Sequence, residues 1–96
     1  MEIEEVKNKV KDIIRDELQK TSCRAFFFGS RISGTASDRS DLDVGIECDA
    51  PLSDKMRSIK ARCEALPTLF TIDIVDFSTV SDDFKKVAKE HIEDII

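Results

Sequence analysis

The sequence has no Trp, no Tyr, three Gly, two Pro and one His among its 96 residues, and each shortage excludes something. With so little Gly and Pro beside 41% hydrophobic residues, the composition is not that of a linker or a disordered segment, and a folded soluble core is expected. No apolar run approaches the roughly 20 residues needed to cross a bilayer. The acidic start Met1-Glu2-Ile3-Glu4-Glu5 lacks the basic region of a signal peptide, so a cytoplasmic protein with no membrane contact is expected. Positive charge is also short: 15 Lys and Arg against 20 Asp and Glu leave a net charge of -5, a poor match for the polyanionic backbone of DNA or RNA. Three cysteines, Cys23, Cys48 and Cys63, form no CxxC pair, which leaves neither a zinc site nor a disulfide framework and suggests small buried or half-buried thiols. No Gly-Lys-Ser/Thr loop is present, and the acidic segment around Asp41 has apolar residues where a calcium loop needs oxygen ligands. The one histidine, His91, falls at helical spacing near the end and reads as a partly buried or interface residue rather than a catalytic base.

What is there divides into a short series of elements. Ile3, Val6, Val10, Ile13, Ile14 and Leu18 mark one face of an amphipathic helix over residues 2–20. Arg24-Ala25-Phe26-Phe27-Phe28 predicts a buried strand halted by Gly29-Ser30. Residues 42–48 alternate, with Leu42, Val44 and Ile46 on one side and Asp43, Gly45 and Glu47 on the other, continuing the side of Asp41. Pro51-Leu52-Ser53-Asp54 opens a second helix, with Leu52, Met56, Ile59, Cys63 and Leu66 on one stripe and Pro67 stopping it. Its Arg57, Lys60 and Arg62 read as a solvated face. A third strand follows over residues 69–77, with Ile72, Ile74 and Asp76 on one face and Thr71, Asp73 and Val75 on the other. Ser81-Asp82-Asp83 caps a last helix carrying Phe84, Val87, Ala88, Ile92, Ile95 and Ile96. The expected fold is α/β (α+β): a small three-stranded mixed sheet with helices packed on one face, forming a single domain over residues 1–96. The other face is left for chemistry, and an acceptor must come from outside the chain.

Residues 29–43 read GSRISGTASDRSDLD, and their parts suit one task, the gripping of a triphosphate and its metal. Gly29 and Ser30 end a strand, offering backbone N–H groups and a small hydroxyl to an anion. Arg31 adds a charge able to pair with phosphate oxygens. Asp41 and Asp43 project from one strand face and repel each other unless a cation intervenes. Oxygen-only donors of this kind suit magnesium or manganese, and a third carboxylate from a neighbouring strand would let two ions share the site. Asp73 is the expected third carboxylate because it points away from the helix-packed face; Asp76 is the fallback if the pleat is displaced by one residue. Asp38 and Ser40 read as loop polar groups.

These residues resemble the polymerase β-like nucleotidyltransferase superfamily, whose signature is Gly-Ser, a spacer, Asp-x-Asp, and a third Asp on a later strand. Ten residues separate Gly29-Ser30 from Asp41-Leu42-Asp43, the spacing of its minimal nucleotidyltransferase (MNT) branch, and Arg31, Gly34, Thr35, Ala36 and Ser40 also match that branch. The resemblance implies a nucleotidyltransferase fold over essentially the whole chain, with Gly29, Ser30 and Arg31 binding nucleotide. It further implies that Asp41, Asp43 and Asp73 are catalytic and bind metal, two Mg2+ ions or Mn2+, with ATP as substrate. Members of this branch are antitoxins of HEPN/MNT toxin–antitoxin pairs and move AMP from ATP to a tyrosine of the HEPN partner, so a HEPN partner protein is implied, or a homo-oligomer. Two other readings compete: an antitoxin that neutralises by occlusion without catalysis, and a nucleotidyltransferase acting on a small molecule such as an aminoglycoside. Three converging carboxylates disfavour the first, and the absence of a second domain to form a drug pocket disfavours the second.

Overall fold

The computed structural model describes residues 2–29, 32, 41–51 and 53–96. Within them, α1 spans Ile3–Leu18, β1 Arg24–Phe28, β2 Leu42–Glu47, α2 Ser53–Glu64, β3 Ile72–Asp76, α3 Asp82–Ala88 and β4 Glu93–Asp94. The strands form one mixed sheet in the order β3-β2-β1-β4. β1 runs antiparallel to both β2 and β4, while β2 and β3 are parallel. Parallel neighbours need a crossover, and α2 supplies it between β2 and β3.

The strand alternation sorts two cores. Leu42, Val44 and Ile46 of β2 and Phe27 of β1 are buried against Val6, Val10, Ile14 and Leu18 of α1 and Ile59 of α2. The two helices are also tied to each other at their surface, where Ser58 donates a hydrogen bond to Glu17 at 2.8 Å and Arg62 pairs with Asp16 at 2.7 Å. Arg57 pairs with Asp54, so two of the four basic residues of α2, Arg57 and Arg62, are engaged by neighbouring acids at the solvated surface. On the opposite face, Phe26, Phe28 and Phe77 form a second, smaller core with Val75, Val80, Ala88 and Ile92 packed against it. Gly45 of β2 lies beneath this cluster. A Cβ there would stand 2.6 Å from the Phe26 ring and 2.7 Å from the Phe77 ring, so the glycine is what lets two aromatic rings lie on the sheet.

Four details differ from the sequence expectation. The sheet has a fourth strand: Glu93 and Asp94, expected in the last helix, pair instead with Phe27 and Phe26. Ile92, Ile95 and Ile96 mimic a helical period, but α3 ends at Ala88, and the Ile95 N–H donates to the Ala25 carbonyl at 2.8 Å. Helices cover both faces rather than one, because α3 lays Phe84 against Phe28 and Phe77 with ring centroids 6.2 and 5.7 Å apart. His91 is exposed beyond the end of α3 instead of riding on a helix. Finally, Cys23 and Cys48 are joined as a disulfide, contrary to the expectation of separate thiols. The antiparallel register sets Arg24 opposite Glu47, and one step outward it sets Cys23 opposite Cys48 with Cα atoms 4.2 Å apart. Counting cysteines reveals no such cross-strand partnership. Cys63 is the buried free cysteine, and burial pushes its thiol up to about 11.

The remaining boundaries moved little. The Ser81 hydroxyl accepts the Phe84 N–H at 3.2 Å, forming the expected cap. β3 begins at Ile72 rather than residue 69, and Leu69 is fully exposed. Leu52, expected to start the second helix's apolar stripe, lies outside the described residues. No helix among the described residues is long and apolar enough to cross a membrane.

Candidate active site

β1 ends in Phe28 and turns at Gly29, whose φ of 85° falls in the left-handed region that side chains disfavour. The turn is closed by the Ile32 N–H donating to the Gly29 carbonyl at 3.1 Å. Space demands glycine as well, since a Cβ at this position would collide with the Asp43 carboxylate. The first residue of the predicted phosphate turn is thus packed directly on one of the predicted metal ligands.

Asp43 sits on β2 opposite Phe28 of β1 and beside Asp73 of β3. The parallel register pairs Asp43 with Asp73 and Gly45 with Val75, so Asp73 shares the face of Asp43, Gly45 and Phe28. Strand neighbours lie about 4.8 Å apart, which makes the two carboxylates neighbours in space although 30 positions separate them in sequence. Asp41 precedes β2 and is exposed, as is Asp73, while Asp43 is half-buried. Burial raises the Asp43 pKa above the ordinary 3.8, and the negative charges of Asp73 and then Asp41 raise it further. Asp43 therefore feels the charge of both other carboxylates. A divalent cation among them would reverse this repulsion, so the donor chemistry fits magnesium or manganese.

Among the described residues, however, no three His, Cys, Asp or Glu side chains already stand together as a metal-holding group. The strand register sets Asp43 beside Asp73. Asp76 has a different task. Its register partner is Ile46, on the side packed against α1 and α2, and its carboxylate accepts from the Ser78 N–H at 2.9 Å and the Ser78 hydroxyl at 2.6 Å. It secures the turn leaving β3. Of the expected nucleotide-binding residues, Gly29 is described; Ser30 and Arg31 lie outside the described residues, as do Gly34, Thr35, Ala36, Asp38 and Ser40.

Sequence reasoning missed Glu47. It lies on the same face as Asp43, at the far end of β2, and accepts a hydrogen bond from Lys89 at 2.8 Å with Lys85 3.8 Å away. The Lys89 hydrogen bond is the main reason its pKa falls below the ordinary 4.5. This pairing ties α3 to the same face of the sheet as Asp43, at the other end of β2, and the i, i+4 spacing of Lys85 and Lys89 was the available signal.

Comparison with known proteins bears on the fold that carries these residues. Residues 5–95 match the family model described as polymerase beta, nucleotidyltransferase. Over 64 residues the chain is 33% identical to the "Probable protein adenylyltransferase MntA" of Haemophilus influenzae, covering 66% of this chain and 56% of that protein. The chain therefore spans little more than half the length of that curated relative. Among solved structures, a toxin–antitoxin MntA-HpeT mutant superposes with a TM-score of 0.70 at 20% identity, covering 93% of this chain and 71% of the other. A toxin–antitoxin with AMP-PNP gives 0.66 at 19% identity, again over 93% and 71%. Spectinomycin adenyltransferase from Enterococcus faecialis, with ATP and spectinomycin, gives 0.61 at 16% identity over 97% and 48%. Fold and sequence agree, and the chain belongs to the polymerase beta nucleotidyltransferase family.

Proposed function

We propose that this protein is a metal-dependent nucleotidyltransferase that moves AMP from ATP to a hydroxyl, that of a tyrosine on a HEPN toxin, and so serves as a cytoplasmic antitoxin. The observation that carries the reading is the juxtaposition of Asp43 with Asp73 on parallel strands, beside Asp41 and against the side-chain-free Gly29. The resemblance to an MntA-type adenylyltransferase and to toxin–antitoxin structures supports the class of acceptor.

In this reading Asp41, Asp43 and Asp73 hold the metal, which when bound would neutralise the triphosphate and so ease attack at the α-phosphorus. Gly29, with Ser30 and Arg31, receives the β- and γ-phosphates, since a backbone turn without a side chain lets anionic oxygens approach N–H groups closely. The acceptor oxygen forms a bond to the α-phosphorus, the bond from that phosphorus to the bridging oxygen breaks, and pyrophosphate leaves. Asp73, the more exposed of the two paired carboxylates, takes the hydroxyl proton or completes the ligand set. The chain contributes positioning and charge rather than a covalent intermediate.

The test is direct. Purified protein, mixed with the product of its neighbouring gene, magnesium and labelled ATP, is expected to label that neighbour on tyrosine. Asp41→Asn with Asp43→Asn should reduce labelling by at least about 100-fold, in line with the loss of a principal electrostatic element. Undiminished labelling by the double variant would overturn the reading. Full protection of cells from the neighbour by the same variant would favour neutralisation by occlusion.

A further inference from the structure

Among the described residues β3 is an outermost strand of the sheet, and it carries Asp73. Two hydrogen bonds fix which way its backbone faces. The Thr71 carbonyl accepts from the Leu42 N–H at 2.9 Å, and the Phe77 N–H donates to the Ile46 carbonyl at 2.8 Å. Thr71, Asp73, Val75 and Phe77 therefore turn their backbone groups toward β2, and alternation along the strand turns those of Ile72 and Ile74 outward. No hydrogen bond among the described residues reaches these outward groups. We propose that the outer edge of β3 docks the acceptor: an extended, basic segment of a partner protein adds antiparallel to β3 as a further strand and so sets its hydroxyl side chain against Asp73. The inference rests on the nucleotidyltransferase reading and deepens it, since it says how the substrate is held.

Three observations favour this occupant. The first is register. An antiparallel strand would bond to the outward groups of Ile72 and Ile74, which leaves Asp73 in a pair without hydrogen bonds, where opposed Cα atoms come to about 4.5 Å and side chains are closest. The residue opposite Asp73 shares its face, so a hydroxyl there meets an exposed carboxylate. The hydroxyl oxygen bonds to the α-phosphorus, pyrophosphate leaves, and the hydroxyl proton passes to Asp73. The second is a recess for the alternate side chains. About 240 Å³ of space lies along this edge, lined by Lys60 and Glu64 of α2 and by Ile72, Asp73 and Ile74 of β3. The residues flanking the hydroxyl point to the α2 side, where this recess receives them. The third is charge. Residues 69–77 hold two aspartates and no Lys or Arg, and Glu64 adds a carboxylate beside the single base Lys60. A basic segment is attracted, whereas a second copy of the same acidic strand, on a chain of net charge -5, is repelled. The opposite edge offers no equivalent, since β4 is two residues long and its Glu93 and Asp94 are engaged by Lys7 and Arg24.

The probe is the end-capped peptide Lys-Lys-Val-Tyr-Val-Lys at millimolar concentration, offered to the native chain with magnesium and labelled ATP. Two readouts run together: the amide NMR shifts of Ile72 and Ile74, and label on the peptide tyrosine. Movement of both amides and labelling of the tyrosine are expected. N-methylating the two valines removes the N–H groups that would donate to the Ile72 and Ile74 carbonyls, and should lower kcat/KM for labelling by about tenfold or more, the scale of two lost backbone hydrogen bonds. N-methylating the tyrosine, whose N–H would point away from β3, should change it little. Replacing the lysines by glutamates should weaken binding. Labelling that is indifferent to valine methylation overturns the docking edge and leaves the transferase reading standing. Amide shifts without labelling of this peptide or of the neighbouring gene's product overturn the acceptor role and the transferase reading together, leaving a plain docking edge. Unmoved Ile72 and Ile74 amides at millimolar peptide overturn the proposal. A dimer in light scattering that the peptide dissociates would assign the edge to a second copy and overturn it as well.

Discussion

Replacing Gly45 by alanine puts a methyl group where two phenylalanine rings already stand. The added carbon would lie 2.6 Å from Phe26 and 2.7 Å from Phe77, about 0.8 Å inside an ordinary 3.4 Å contact. Neither ring has room to retreat, since both are completely buried and pack edge to face with centroids 4.9 Å apart. Overpacking of this kind costs about 1–3 kcal/mol. Removing a strand glycine returns roughly 0.5–1 kcal/mol by restricting the unfolded chain. The net loss is then about 1–2 kcal/mol, and for a domain of this size the midpoint of thermal unfolding should fall by roughly 5–15 °C. Circular dichroism melts of Gly45→Ala measure this directly. Phe77→Leu supplies a partial control: it relieves one of the two clashes while the Phe26 ring remains, so the added methyl should cost less, giving a coupling of about 0.5–1 kcal/mol in a double-mutant cycle. Strictly additive losses, or a Gly45→Ala protein as stable as the native one, would refute the account of the second core.

The Cys23–Cys48 disulfide closes a loop with a sequence separation of 25, so Cys23→Ser should lower stability by about 3 kcal/mol; the same melt under reducing and oxidising conditions checks it, and identical curves would count against the bond. For Glu47 the sign follows from a lowered native pKa. The ionised, Lys89-bonded form is favoured in the folded chain, so its stabilising effect is present above the unfolded value of 4.5 and is lost as pH falls through the native pKa. Because the pair is partly exposed, Glu47→Gln should cost only about 0.5–1 kcal/mol at pH 7 and nothing once the native carboxyl is protonated. A pH-independent difference in urea midpoint would contradict this. Asp43 runs the other way. Its raised pKa means the native state holds the proton more tightly than the unfolded chain, so in the absence of divalent cation Asp43→Asn should melt higher than native at pH 7, and the difference should vanish in acid. A lower melting temperature at pH 7 would show that Asp43 is stabilising rather than strained.

Much of this was legible because period and spacing are local properties. The alternation of Leu42, Val44 and Ile46 against Asp43, Gly45 and Glu47 set the faces of β2. The same reasoning on Ile72 to Asp76 separated Asp73 from Asp76, and the parallel register agrees with that separation. What was not legible depended on pairing. Glu93-Asp94 has no strand character of its own; it becomes β4 only because β1 presents a free edge beside it. Cys23 and Cys48 are ordinary until β1 and β2 are placed in register. The expectation that all helices share one face fails at α3 because its apolar residues announce that it packs but not upon what. One signal was available and unused. A glycine inside an otherwise good strand implies something large lying on it, and Gly45 could have announced the second aromatic core.

That second core changes how the carboxylate site is held. A sheet with helices on one side only would present Asp43 and Asp73 to open water, where their repulsion is weak and their positions loosely fixed. Here Phe28 flanks Asp43 on β1 and Val75 follows two residues after Asp73 on β3, and both belong to the aromatic cluster that α3 covers. The cluster partly dries the floor of the site, and burial is the leading cause of the raised pKa at Asp43. The Lys89–Glu47 bond holds α3 against that same face. The residues that look least chemical, a glycine, three phenylalanines and a lysine capping a two-turn helix, are therefore the ones that keep Asp43 partly desolvated. Loosening α3 by Glu47→Gln should move the Asp43 pKa back toward its ordinary value, a shift that carboxylate NMR titration would resolve.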